Sequence, residues 1–299
     1  MTALLRADHV TCRFGDVVAV DDVTFDVAPG EVVGLLGANG AGKTTVIRML
    51  LGLQRPTAGS VELLGGPPDR QRRARLGYVP QGLGLYQDLT VSENLGFLAG
   101  AYGAAAPPLP PSLAARRNDL VADVPLGLQR HLSFAAALAH PVDVLVLDEP
   151  TSGVDPVARA SLWETVREQA GRGVGALVTT HYMQEAEQCD RLLLMAGGRL
   201  VAQGSVADVI GDAQSVAVTT TAWAQAFSAL DAAGLSVTLA GRAVRVVDAA
   251  PQAVSDALDD AGVTAEVALV PATLEERMTV LTLASTRSVR TAPSAQSAR

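Results

Sequence analysis

The sequence predicts an α/β protein built on a doubly wound, mostly parallel sheet. A short buried strand at Glu31–Leu36 is followed by a glycine-rich loop and then by a helix from about Thr44 to Leu53. Strand, loop and helix in that order form the βα unit of a doubly wound sheet. Val144–Leu147 and Gly175–Thr179 are further short, mostly apolar runs typical of buried parallel strands, and a helix is predicted between them at Pro156–Ala170.

Two regions beside this core have different patterns. Leu5–Phe14 and Val17–Val27 are predicted to be a pair of strands joined by a turn, because apolar residues recur with period two. Residues 85–140 are predicted to be mostly helical. They are interrupted by a Pro/Ala-rich stretch, Ala104–Pro111, which we expect to be a loop.

After Gly204 the pattern changes again and predicts a second, smaller domain. Its elements alternate as β, α, β, β, α, β at Ser215–Thr219, Ala222–Ala233, Leu235–Ala240, Ala243–Val247, Pro251–Ala261 and Thr264–Leu269. That order is the split-βαβ arrangement, and a last helix is predicted at Thr273–Leu283. We therefore assign residues 4–212 to the main domain, 214–285 to a small α+β domain and 286–299 to a disordered tail.

Composition narrows the possible functions. The chain has 299 residues, a net charge of −8 and a pI near 5.0, which argues against an electrostatic nucleic-acid binder. Its two cysteines, Cys12 and Cys189, are too few for a disulfide framework and are expected to be buried. The sequence has no apolar run of the ~18–20 residues that a membrane helix needs. The start, Met1–Val10, lacks an apolar signal region, so we expect a cytoplasmic protein.

The glycine-rich loop has the composition of a phosphate-binding site. It reads Gly-Ala-Asn-Gly-Ala-Gly-Lys-Thr and fits G-x-x-x-x-G-K-[S/T] at every position. Glycines let successive N–H groups turn towards phosphate, and the helix that follows adds its positive N-terminal end. The predicted nucleotide-binding residues of this segment are Gly37, Ala38, Asn39, Gly40, Ala41, Gly42, Lys43, Thr44 and Thr45.

Lys43 is the only lysine among the 23 Lys and Arg residues of the chain. A sequence that uses Arg almost everywhere has kept one ammonium, which indicates a site for a compact point charge where a planar guanidinium would not fit. Lys43 is expected to meet the β- and γ-phosphates of a nucleotide, and the Thr44 hydroxyl to ligate Mg²⁺.

The strand at Val144–Leu147 delivers two carboxylates, Asp148 and Glu149, at its C-terminal end. Open α/β sheets bind their ligands at that end of the strands. The Asp148 carboxylate is therefore predicted to bind Mg²⁺ directly or to hold one of its ligands. Glu149 is predicted to be the general base for an attacking water. Without the phosphate loop upstream, a surface acidic pair would be the better explanation of these residues.

At this point the chain resembles a known family. The loop around Lys43, the run Leu147–Asp155, Gln81 and His181 together resemble the nucleotide-binding subunit of an ATP-binding cassette (ABC) transporter, over about residues 4–212. The resemblance implies a P-loop NTPase core with an antiparallel β subdomain and a shortened helical subdomain. It also implies binding and hydrolysis of ATP with Mg²⁺.

The same resemblance suggests roles for individual residues. Gln81 matches the glutamine that touches Mg²⁺ or water and relays the nucleotide state to the membrane partner. His181 matches the histidine that contacts the γ-phosphate, and Phe14 matches the aromatic that stacks on adenine. The predicted contacts with a second nucleotide-binding chain are Ser152, Gly153 and Asp155. Taken alone, Gln81 is better explained as an exposed loop amide, His181 as a strand-end histidine and Phe14 as a core residue.

The residues around these motifs resemble those of one branch of the family. Leu85–Asn94, Thr180–Ala186 and the later Ala272–Glu276 are similar to segments of bacterial exporters of drugs, antibiotics or lipids. In that branch the membrane permease is a separate polypeptide. The resemblance therefore implies a dimeric ATPase held on the inner face of the cell membrane by its permease, with no nucleic-acid partner.

One motif departs from the family. The signature, usually Leu-Ser-Gly-Gly-Gln, falls at Val124–Leu128, where only Gly127 is preserved and Pro125 and Leu126 precede it. This segment is predicted to contact the nucleotide of the opposite chain. The departure favours one rival, a regulatory ATPase with a weakened site, and a second rival is a non-transport ABC ATPase of DNA repair or translation. Members of the second class usually carry paired cassettes, long coiled-coil insertions or basic surfaces, which are not visible here.

Overall fold

A computed structural model describes residues 3–241 and 243–291, with side chains to residue 282. The chain divides into two compact units, the first ending at Leu200. The strands are β1 (Leu5–Phe14), β2 (Val17–Val27), β3 (Val32–Leu36), β4 (Ala58–Leu63), β5 (Leu76–Val79), β6 (Val144–Asp148), β7 (Gly175–Thr180), β8 (Arg191–Ala196), β9 (Arg199–Gly204), β10 (Gln214–Thr219), β11 (Ser236–Ala240), β12 (Ala243–Val247) and β13 (Glu266–Pro271). The helices are α1 (Lys43–Leu50), α2 (Arg70–Arg73), α3 (Val91–Ala101), α4 (Pro111–Ala114), α5 (Leu126–Ala137), α6 (Pro156–Gly171), α7 (Met183–Ala186), α8 (Val206–Ile210), α9 (Trp223–Ala232), α10 (Pro251–Asp260) and α11 (Leu274–Thr291).

The central sheet has the strand order β5-β6-β7-β3-β8-β9. Strands β5, β6, β7, β3 and β8 run parallel, and β3, β6 and β7 are buried along their whole length. The register pairs Leu36 with Thr180 and Asp148 with Thr179, so the C-terminal ends of β3, β6 and β7 lie at one edge. The predicted doubly wound core is confirmed, and this edge positions the site.

A second, three-stranded sheet precedes the helical region. Its order is β2-β1-β4, and both pairings are antiparallel with register shifts along β1. Apolar residues of this sheet and of the central sheet form one core that includes Leu5, Val23 and Leu35. The predicted antiparallel pair is confirmed, and β4 extends it.

The helical region between β5 and β6 is short. Helix α3 begins with a capping box in which the Thr90 hydroxyl accepts from the Glu93 N–H and the Glu93 carboxylate accepts from the Thr90 N–H. Residues 104–110 contain no helix or strand, as predicted from their prolines, and Pro111 starts α4. Buried Val91, Leu95 and Leu132 pack α3 against α5.

The second unit carries the predicted split-βαβ order. Its sheet has the order β11-β12-β10-β13 with antiparallel pairings, and Val216, Val246 and Leu230 belong to its own apolar core. Glu276 at the start of α11 is buried and accepts from the Ser215 hydroxyl at 3.0 Å. Burial alone would raise the pKa of the Glu276 carboxyl. The hydrogen bonds that it accepts, including those from Arg245 and Ser215, lower the pKa by more, so it lies below its usual value.

Two boundaries differ from the expectations. Helix α11 continues to Thr291, so residues 286–291 of the predicted disordered tail are helical; 292–299 lie outside the described residues. The helix continues because no Gly or Pro occurs in it before Pro293. The division at Leu200 also falls earlier than residue 212, because α8 packs with α11 and belongs to the second unit. Both cysteines are buried, as predicted.

Candidate functional site

The loop between β3 and α1 is conformationally restricted. Gly37, Gly40 and Gly42 have φ angles of 154°, 81° and 105°, which L side chains rarely adopt. A Cβ on Gly42 would lie 2.5 Å from the Ala19 carbonyl oxygen. Backbone conformation and space therefore both require glycine at Gly42, where the loop becomes the helix.

Lys43 is buried at the start of α1. Its Nζ donates to the carbonyl oxygens of Gly37 at 2.7 Å and Ala38 at 3.2 Å. Burial lowers the pKa of Lys43, while the negative charges of Glu149 and Asp148 oppose that shift. The buried ammonium of Lys43 is therefore close enough to the carboxylates of Glu149 and Asp148 to be attracted by their charge.

Asp148 ends β6 and is almost fully buried. Its Oδ1 accepts a hydrogen bond of 2.7 Å from the Thr179 hydroxyl at the end of β7. Burial raises the pKa of Asp148, and the Thr179 hydrogen bond opposes this effect. The two neighbouring strands therefore orient this carboxylate at the edge of the sheet.

Glu149 lies where three segments meet. Its φ of 49° turns the chain out of β6, and its N–H donates to the Thr179 hydroxyl at 2.8 Å. Its Oε2 accepts from Gln81 Nε2 at 3.2 Å and lies 3.8 Å from His181 Nδ1. The structure therefore brings together three residues that the sequence predicted for one site, although 68 positions separate Gln81 from Glu149.

Arg130 on α5 is a functional candidate that the sequence reasoning missed. It is 4% exposed, and its guanidinium donates to the carbonyl oxygen of Gln81 at 3.1 Å, with longer contacts of 3.5 Å to the carbonyls of Pro80 and Ser152. It thus joins α5 to the segments of Gln81 and Ser152. An arginine within a short helix rich in apolar residues was the only signal that the sequence offered.

The signature segment and the predicted partner contacts lie side by side. Pro125 is the N-terminal cap of α5, so the N–H groups of Leu126 and Gly127 open the helix. A Cβ on Gly127 would lie 3.7 Å from Asp155 Oδ2, and a Cβ on Gly153 would lie 3.0 Å from a Leu126 methyl. Asp155 caps α6, which holds its carboxylate beside Gly127.

The remaining predicted residues lie around the loop. Phe14 is 49% exposed at the end of β1, which excludes the core explanation for it. Thr44 is exposed and Thr45 is half-buried on the first turn of α1. Stacking of Phe14 on adenine stays a prediction.

The oxygen donors at this edge fit a magnesium ion. Mg²⁺ prefers one or two carboxylates together with the phosphate oxygens of a substrate. Asp148 is a buried carboxylate with an oriented oxygen, and the Thr44 hydroxyl and Gln81 amide are further oxygen groups of the predicted set. Within the described residues there is no cluster of three or more His, Cys, Asp or Glu that could hold a metal alone.

Comparison with known proteins identifies the family. A family model described as ABC transporter matches residues 20–152. A Nod factor export ATP-binding protein I of Paraburkholderia xenovorans (strain LB400) is 44% identical over 221 residues, covering 70% of this chain and 73% of that protein. The chain belongs to the ABC transporter ATP-binding family. As a member of it, the chain is an ATP-binding protein and an ATPase.

Other proteins similar to this ABC ATPase are also named as ATP-binding parts of ABC transporters. A probable multidrug ABC transporter ATP-binding protein of Escherichia coli (strain K12) is 40% identical over 221 residues, 69% of this chain but only 38% of that longer protein. A solved ATP-binding subunit of an ABC transporter superposes with a TM-score of 0.64 at 32% identity, covering 69% of this chain and 91% of that one. A dimeric ATP-binding cassette in a post-hydrolysis state with ADP and Pi shares the fold, with a TM-score of 0.60 at 22% identity over 67% of this chain and 98% of that one.

None of the helices within residues 3–241 and 243–291 has both the length and the apolar character to cross a lipid bilayer.

Proposed function

We propose that this ABC ATPase hydrolyses Mg-ATP as a dimer and drives export of a drug, antibiotic or lipid through a separate membrane permease. The observation that carries the catalytic part is the contact of Glu149 with Gln81 and His181 beside the phosphate loop. Relatives named for Nod factor export and for multidrug transport support the export part.

The proposed chemistry assigns one task to each group. Lys43 binds phosphate with a compact positive charge, and the loop amides contribute further donors. Glu149 accepts the proton of the attacking water. The hydrogen bond from Gln81 would orient the Glu149 carboxylate, and His181, 3.8 Å from that carboxylate, is proposed to steady the γ-phosphate. Mg²⁺ held by Asp148, Thr44 and Gln81 would neutralise charge that develops on the phosphates.

The proposed dimer uses the adjacent surfaces of Gly127 and Asp155. Each ATP would lie between the phosphate loop of one chain and the start of α5 of the other, which makes the interface isologous. The closeness of Gly153 to Leu126, where an added Cβ would lie 3.0 Å from a Leu126 methyl, supports this idea, because it places the two predicted interface segments side by side in each chain.

The proposed permease contact lies on the helical region. Tyr86, Phe97 and Tyr102 are each about half exposed (46%, 54% and 46%). The rings of Tyr86 and Phe97 pack edge to face with centroids 5.0 Å apart, and Tyr102 lines a cavity of about 570 Å³ together with Tyr78 and Arg73. Exposed aromatic clusters on soluble proteins mark contact surfaces. A permease bound here would hold the chain on the inner face of the cell membrane.

Glu149→Gln tests the catalytic assignment. The variant should bind ATP as tightly as the original chain and hydrolyse it ~10²–10⁴-fold more slowly, since it loses a general base and keeps the phosphate loop. Nucleotide titration and phosphate release measure the two quantities. Glu164→Gln, the same change at an exposed position of α6, is the matched control and should keep the original rate. Hydrolysis by Glu149→Gln at half the original rate would remove Glu149 from the mechanism.

The same variant tests the dimer. With Mg-ATP, light scattering should show Glu149→Gln as a dimer, and without nucleotide as a monomer, because bound ATP completes the interface. A chain that stays monomeric with Mg-ATP at high concentration would instead favour an unequal partner.

A regulatory ATPase with a weakened site is the second candidate. Pro125 favours it, because it offers neither the hydroxyl nor the N–H that the usual signature serine supplies. Hydrolysis that stays absent when the permease is present would support this candidate over transport.

A further inference from the structure

A buried carboxylate, Glu185, lies behind the catalytic residues. It is 1% exposed, and it accepts hydrogen bonds from the Thr151 hydroxyl at 2.5 Å and the Thr180 hydroxyl at 2.6 Å. Arg159 Nε on α6 lies 3.2 Å from Glu185 Oε1. One side chain therefore connects the loop after β6, the end of β7 and α6.

The partners of Glu185 flank residues of the proposed site. Thr151 directly precedes the predicted partner-contact segment that starts at Ser152, and Thr180 directly precedes His181. The Thr180 hydroxyl also accepts from the Tyr182 N–H at 3.0 Å, so both neighbours of His181 are held. The guanidinium of Arg159 stacks on the Tyr182 ring, 4.3 Å from its centroid.

Stability alone is a poor explanation for this cluster. A buried ionic group is expensive to desolvate, and apolar replacements of such clusters are often neutral or stabilising. Two hydroxyls and a guanidinium that converge on one carboxylate do, however, restrict the relative positions of the segments that carry them. The cluster is therefore suited to fixing geometry.

We propose that Glu185 is a positioning residue for ATP hydrolysis. It holds the His181 loop and the Ser152–Asp155 segment in one arrangement, so that the γ-phosphate contact and the contact with the opposite chain form together. This inference rests on the proposed roles of His181 and of Ser152–Asp155.

The test removes the hydroxyls and leaves Glu185 in place. Thr151→Val and Thr180→Val keep the side-chain shape and delete one hydrogen bond to the carboxylate each. Thr180→Val also removes the acceptor of the Tyr182 N–H, so Thr151→Val is the cleaner of the two tests. We expect kcat for ATP to fall by about 10–100-fold in each, the size typical of a hydrogen bond to a charged group. Affinity for ATP should stay at its original value, because neither hydroxyl belongs to the predicted nucleotide-binding set. Thr151→Ser and Thr180→Ser keep the hydroxyl and should restore kcat.

Two controls separate positioning from a merely structural role. Thr165→Val removes a hydroxyl that bonds to the Ser161 carbonyl oxygen on α6, and it should leave kcat and KM unchanged. Thermal unfolding of every variant reports the fold. A Thr→Val variant whose ATP affinity and Tm fall together with kcat would overturn the proposal in favour of simple destabilisation. Arg159→Met gives a second route to the cluster if a threonine variant does not fold.

The outcomes also separate this inference from the proposed function. Glu149→Gln and His181→Ala are measured in parallel. If these two lose hydrolysis while Thr151→Val and Thr180→Val keep it, positioning by Glu185 is wrong and the catalytic assignment stands. If Glu149→Gln keeps hydrolysis, the catalytic assignment itself is wrong.

Discussion

Lys43 and Asp148 show how single buried charges shape this site. Burial lowers the pKa of the lysine and raises that of the aspartate, so each charge is disfavoured by its surroundings. Each group is also held by a specific contact: Lys43 by the Gly37 carbonyl oxygen and Asp148 by the Thr179 hydroxyl. Charged groups that are kept in unfavourable surroundings are typical of functional sites, which supports the proposed roles of both residues.

Lys43→Arg should bind ATP more weakly by about 10–100-fold, the loss expected for a hydrogen bond to a charged group. Lys43 is only 7% exposed, and its ammonium donates to two loop carbonyl oxygens, a place too small for the larger planar guanidinium. Fluorescent-nucleotide titration measures the affinity. Arg48→Lys, the reverse exchange on an exposed position of α1, is the control and should have no effect. Equal affinity in Lys43→Arg would show that the single lysine has no special role.

Asp148→Asn should raise the Tm of the nucleotide-free protein at neutral pH. Because burial raises the folded-state pKa of Asp148, the folded protein binds that proton more tightly than the unfolded chain does. The resulting stability is fully present below the unfolded pKa and is lost as pH rises through the folded pKa. Asn keeps an acceptor for Thr179 without the charge, so its advantage should shrink as pH falls through that window.

Calorimetry over a pH series measures this difference. Asp212→Asn, at an exposed position of the second unit, should not shift the Tm. A lower Tm for Asp148→Asn at pH 7 would mean that attraction to Lys43 outweighs desolvation of the carboxylate.

Helix α5 begins in the altered signature segment, yet its N-terminus has the ordinary geometry of a helix start. Pro125 fits at its N-terminal cap because proline needs no N–H there, so the helix begins with free amides despite the altered signature. The helix also carries Arg130, which bonds to the Gln81 carbonyl oxygen. This one element therefore connects the predicted contact with the opposite chain to the Gln81 segment, which is proposed to relay the nucleotide state.

Gly127→Glu should abolish hydrolysis in the presence of the permease and spare ATP binding by the monomer. A bulky carboxylate at the start of α5 repels both a γ-phosphate and the neighbouring Asp155, whose Oδ2 lies 3.7 Å from the Cβ position. Steady-state phosphate release and nucleotide titration measure the two effects. Gly127→Ala places its methyl 3.4 Å from the Ala158 methyl, an ordinary contact, and serves as the folding control. Intact hydrolysis in Gly127→Glu would mean that this segment does not touch nucleotide.

On the scale of the whole molecule, the chain combines an ATPase unit with a second unit that has its own sheet and core. All predicted nucleotide-binding residues lie in the first unit. Helix α8, although it precedes residue 212, packs with α11 through contacts such as Arg277 Nε to the Val209 carbonyl oxygen at 3.3 Å. The domain end predicted from the sequence, residue 212, therefore differs from the boundary that packing sets, Leu200.

A chain that ends at Asp212 should bind ATP as tightly as the full chain, because no predicted nucleotide-binding residue is removed. Nucleotide titration measures this, and the fragment from residue 213 onwards should bind none. We expect a lower Tm for the shortened chain, since removal of α11 exposes the buried Val209. Loss of ATP affinity in a shortened chain that still folds would place part of the nucleotide site in the second unit.

The local features of this protein were available from the sequence alone. The phosphate loop could be identified because its glycines and Lys43 act through backbone conformation and a fixed spacing. The parallel strands and the split-βαβ order could be predicted because apolar runs and turn residues determine them locally. Functional identities for Gln81 and His181 came from family resemblance, and their roles stay predictions.

Only the tertiary structure decided which distant residues meet. The parallel register of β5, β6 and β7 places Gln81, Glu149 and His181 in contact, and no local pattern records that register. Arg130 and Glu185 went unnoticed because a polar residue in a sequence does not show whether it is buried or what it bonds to. Burial and hydrogen-bond partners depend on the packing of several segments at once, and for these two residues the packing defines the role.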